Sequence, residues 1–135
     1  MKLWMSSEYS VGIGDKLRLA RNYVEKVINE KINKKKYMLE EYLEGWDCIS
    51  IIMNMKNHEY IERTIYSKKK KDMDFRLQID YEEFDNTDDL GRQRLIYEML
   101  DRSLDILLEK KKLPLDAIEE LRADVKEVAK EQGWI

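Results

Sequence analysis

Six carboxylates crowd into ten residues: Asp80, Glu82, Glu83, Asp85, Asp88 and Asp89. Carboxylates this close can do three kinds of work. Two that converge can divide general-acid and general-base duties, provided burial or a neighbour raises one pKa. Asp80 and Glu82 would share a face if the chain there is a strand. The surroundings are polar, however, and no partner histidine or substrate loop accompanies them. The same acids could hold magnesium alongside a substrate phosphate. Gly12-Ile13-Gly14-Asp15 does not lead into the lysine-serine or lysine-threonine pair of a phosphate loop, so that chemistry lacks its other half. The third use is recognition, in which the six acids form an exposed surface for a protein partner. On this reading they are the partner-binding candidates, and the sequence offers no catalytic residue, metal site or cofactor.

The other reactive side chains point the same way. His58, flanked by Asn57 and Glu59, has no nucleophile at a telling distance; Ser50, Thr64 and Ser67 are not singled out by spacing. Cys48 is the single cysteine, so neither an internal disulfide nor a thiolate zinc cluster can form. Lysine runs at 34–36, 68–71 and 110–112 have Tyr37 and Tyr66 nearby, but acids are dispersed among them. They read as solvated loops and a helix end, and no nucleic-acid partner is expected. Trp4 and Trp46 open two apolar runs and read as sheet or core residues, while Trp134 is placed to cover a core edge.

Charge and length bound what remains. The 135 residues suffice for a single domain, 1–135, with one modest core. Charged residues make up 39% and hydrophobic ones 43%, with only 5 Gly and 1 Pro, which suits an ordered soluble domain. Lys and Arg total 25 against 28 Asp and Glu, a net charge of −3 that excludes a general polyanion binder. The opening Met1–Ser6 lacks the long apolar stretch of a signal peptide, and no run is long enough to span a membrane. Cytoplasmic residence without a membrane partner is the expectation.

The elements that must position the acids follow from periodicity. Residues 2–9 predict a first strand. Gly12 and Gly14 mark a turn, and Leu17, Ala20, Val24, Val27 and Ile28 recur at helical spacing over about residues 15–32. Residues 33–45 fit a short helix or an irregular strand. Trp46–Met53, rich in Ile, predicts an interior strand. Residues 61–67 predict another, joined through Lys68–Lys71 to the clearest strand of all. There Met73, Phe75, Leu77, Ile79 and Tyr81 alternate with Asp74, Arg76, Gln78, Asp80 and Glu82. Thr87 or Asp88 can cap a second helix bearing Leu95, Met99, Leu100, Leu104, Leu107 and Leu108. After Pro114, a third helix carries Leu115, Ile118, Leu121, Val125, Val128 and Ala129 up to Gly133. The expected architecture is α+β: an antiparallel sheet with one N-terminal and two C-terminal helices packed on it.

Several of these stretches together carry a resemblance. They are Lys2-Leu3-Trp4-Met5-Ser6-Ser7-Glu8, the helix start at Gly14-Asp15, and Trp46-Asp47-Cys48-Ile49-Ser50-Ile51-Ile52. Arg63-Thr64-Ile65-Tyr66-Ser67-Lys68-Lys69-Lys70 and Leu77-Gln78-Ile79-Asp80-Tyr81-Glu82-Glu83-Phe84 belong with them. In this order the chain resembles the bacterial immunity protein 44 family of polymorphic toxin systems. The resemblance implies a small cytoplasmic α+β protein, not an enzyme, that binds a cognate toxin and neutralises it. It assigns no binding residues, so the six acids rest on charge alone. The alternative is a small regulatory or adaptor protein with another protein partner. A homodimer is compatible with the sequence but demanded by no residue.

Overall fold

The computed structural model describes residues 1–8, 13–43, 48–54, 63–67, 72–111 and 113–135. Four strands, β1 (Lys2–Glu8), β2 (Cys48–Asn54), β3 (Arg63–Ser67) and β4 (Asp72–Gln78), form one sheet in the order β1-β2-β4-β3. Among the described residues five helices accompany it: α1 (Gly14–Ile32), α2 (Met38–Tyr42), α3 (Tyr81–Asn86), α4 (Asp89–Lys111) and α5 (Leu115–Gln132).

The antiparallel sheet expected from the sequence is not what forms. β1 pairs parallel with β2, and β2 parallel with β4; only the edge pair β3–β4 is antiparallel. The reason lies in the connections. Parallel neighbours need a crossover of a dozen or more residues, and α1 with α2 supplies one between β1 and β2. β4 then inserts between β2 and β3. Central position suits β2, whose Ile49-Ser50-Ile51-Ile52-Met53 is nearly continuous in apolar residues.

The sheet buries one face. Leu3 and Met5, Ile49, Ile51 and Met53, and Phe75 and Leu77 are all at most 3% exposed. Against them lie α1 and α4, while α5 packs on α1, α2 and α4. The helices therefore form two layers, and the expectation that both C-terminal helices rest on the sheet is corrected. Being sandwiched explains why α4 buries Ile96, Tyr97, Ser103 and Ile106 besides its predicted stripe. On α5 the stripe is as expected from Ile118 onwards, but Leu115 is exposed.

Edge strand β1 is secured by side chains of α1. The Leu3 N–H donates to Asn29 Oδ1 (2.8 Å) and Asn29 Nδ2 donates back to the Leu3 carbonyl (2.7 Å). The Met5 N–H donates to Glu25 Oε2 (2.8 Å). Together they occupy backbone groups that an incoming strand would otherwise pair. The outward face of the sheet is wetter: Trp4 is half-exposed, and Ser6, Cys48, Ile52 and Gln78 are partly covered.

Candidate protein-recognition surface

The acidic segment is built as two helix starts. The strand predicted to continue through Tyr81 ends at Gln78. Asp80 is the N-cap of α3, its carboxylate accepting the Glu83 N–H at 2.9 Å. Tyr81 and Phe84, three apart, then turn towards the core, and Phe84 is fully buried. Asp80 and Glu82 thus do not share a strand face; one caps a helix and the other sits in its first turn. Alternation at Ile79 and Tyr81 imitated a strand because an extended N-cap residue bridges strand and helix.

Asp88 repeats the device at α4, accepting the Gly91 N–H at 2.8 Å. Gly91 suits this spot because the Thr87 hydroxyl occupies the space a β-carbon would need. Between the two starts, Arg92 donates through Nε to the Phe84 carbonyl and through Nη2 to the Asp85 carbonyl, both at 3.0 Å. It thereby satisfies carbonyls at the end of α3. Its Nη1 lies 3.2 Å from Asp89. Asp85 receives Lys16 Nζ at 2.8 Å. Of the six predicted acids, Asp80 and Asp88 cap helices, and Asp85 and Asp89 are in ion pairs. Glu82 and Glu83 lie exposed in the first turn of α3, where negative charge complements the helix dipole.

The acids also rim two grooves on opposite faces of α4. One, of about 240 Å³, is lined by Leu77, Ile79, Leu95 and Met99, with Asp80, Glu83, Glu98 and Arg102 around them. The other, of about 320 Å³, lies between the starts of α1 and α4. Asp15, Lys16, Leu19, Ala20, Tyr23, Asp89 and Gln93 form it. Leu90 lies against Gly133 at the end of α5. Leu19, Tyr23 and Leu90 are exposed, and their sequence signal is position: each lies off the helical stripe that the buried residues define.

Other candidates resolve differently. His58, Trp46 and Lys68–Lys71 fall outside the described residues. Lys35 pairs with Asp124 (3.0 Å) and lies 4.8 Å above the Tyr37 ring. Tyr37 itself is buried, so it is no stacking platform. Trp134 is buried as expected and donates from Nε1 to Gln93 Oε1 at 3.0 Å. Among the described residues no group of three or more His, Cys, Asp or Glu could hold a metal ion, and no helix is long and apolar enough to cross a membrane.

The described residues form a layered α+β domain with capped helix starts and carboxylate-rimmed grooves. Comparison with known families makes the assignment specific: the family model of immunity protein 44 matches residues 1–131. The chain belongs to that family, as its sequence resemblance implied. No curated protein and no solved structure gave a significant match.

Proposed function

We propose that this protein binds a cognate bacterial toxin in the cytoplasm and neutralises it by covering its working surface, without catalysis of its own. The observation that carries this reading is the family match across residues 1–131. Physical features support it. A standard stable interface buries about 1,200–2,000 Å² in total, roughly half from each partner. The protein's 7691 Å² of surface accommodates that share readily. The acids Asp80, Glu82, Glu83, Asp85, Asp88 and Asp89 would face the toxin. Against a basic toxin such a surface speeds encounter and fixes orientation.

The test is co-purification with the toxin domain encoded by the gene immediately upstream, followed by rescue of cells expressing that domain. Binding and rescue are the expected results; a toxic domain that this protein neither binds nor neutralises overturns the reading. The acids are tested separately by Glu82→Lys with Glu83→Lys, which spares both caps. Affinity should fall more in low salt than in high salt. Equal affinity at both removes that pair from the interface.

A further inference from the structure

We draw no further inference here: the strongest candidate, the groove between the start of α3 and the middle of α4, lined by Leu77, Ile79, Leu95 and Met99 with Glu83 and Glu98 around them, carries none, because nothing in the structure shows what covers it.

Discussion

The two ends of the helical layers use similar residues to opposite effect. At one end α2 meets the first half of α5, and several polar groups are tied inward. Tyr37 is buried and its hydroxyl donates to Asp124 Oδ2 at 2.6 Å. Its N–H donates to the buried Glu40 carboxylate at 2.6 Å, and the Met38 N–H donates to Glu120 at 3.0 Å. Lys35 bridges Glu120 and Asp124. At the other end the starts of α1 and α4 meet the end of α5. There Leu19 and Tyr23, which line the groove with Asp15, Lys16 and Asp89, are exposed, as is Leu90 against Gly133. Aromatic, aliphatic and acidic groups occur at both ends. Exposed apolar side chains stand at both ends, Met38, Tyr42 and Leu115 at the first and Leu19, Tyr23 and Leu90 at the second; the first differs in the buried hydrogen bonds that Tyr37 makes to Asp124 and Glu40. Substitutions should therefore cost more stability at the first end than at the second.

The largest stability effect is expected at Tyr37→Ala. It removes a fully buried ring and leaves Asp124 with Lys35 as its remaining partner, so unfolding free energy should fall by about 3–5 kcal/mol in urea denaturation. A loss below 1 kcal/mol would mean the α2–α5 end is not closed as described. Asp124→Ala should cost about 1–3 kcal/mol, because the buried phenol loses its acceptor.

The same pair gives the closed end a pH signature. Burial opposes ionisation of Asp124, but hydrogen bonds from Tyr37 and Lys35 outweigh it, and the carboxyl titrates below its ordinary value. A depressed folded-state pKa contributes stability above the unfolded value, about 3.9, that is lost as pH falls through the folded one. Burial, then the bond to Asp124, pushes the Tyr37 phenol well above its ordinary value. The unfolded chain releases that proton first, so stability should also decline above about pH 10. Melting curves of Asp124→Ala should show a shallower decline on both sides; unchanged slopes would detach the pair from the pH response.

A smaller effect is expected at Gly133→Ala. Gly133 closes α5 at φ 80, in the left-handed region that costs a residue with a β-carbon about 1–2 kcal/mol. Smallest is Lys16→Ala at the open end. The Lys16–Asp85 pair is substantially exposed, with side chains 48% and 36% accessible, and such pairs contribute about 0–1 kcal/mol. Its loss should barely move the melting temperature.

Much of this was legible in the sequence, and the failures have physical causes. Helical periodicity placed α1, α4 and α5 because each has a face buried along its length. Alternation placed β4 to within a few residues, overrunning only where Asp80 caps a helix in an extended conformation. Strand direction was not legible, since side-chain alternation is identical in parallel and antiparallel pairs; the crossover through α1 decides it. The acids were found by composition, but their division into caps, ion pairs and exposed residues depends on where two helices begin. The groove escaped notice because Leu19 signals only by standing outside a buried stripe.

The most direct test is amide hydrogen exchange of this protein alone and with an equimolar amount of the upstream-encoded toxin domain. New protection is expected within residues 80–92, which carry the six acids, with no change across 37–42 and 115–124. Protection confined to the α2–α5 end or to the outward strands, or none in a complex shown to form, would contradict it.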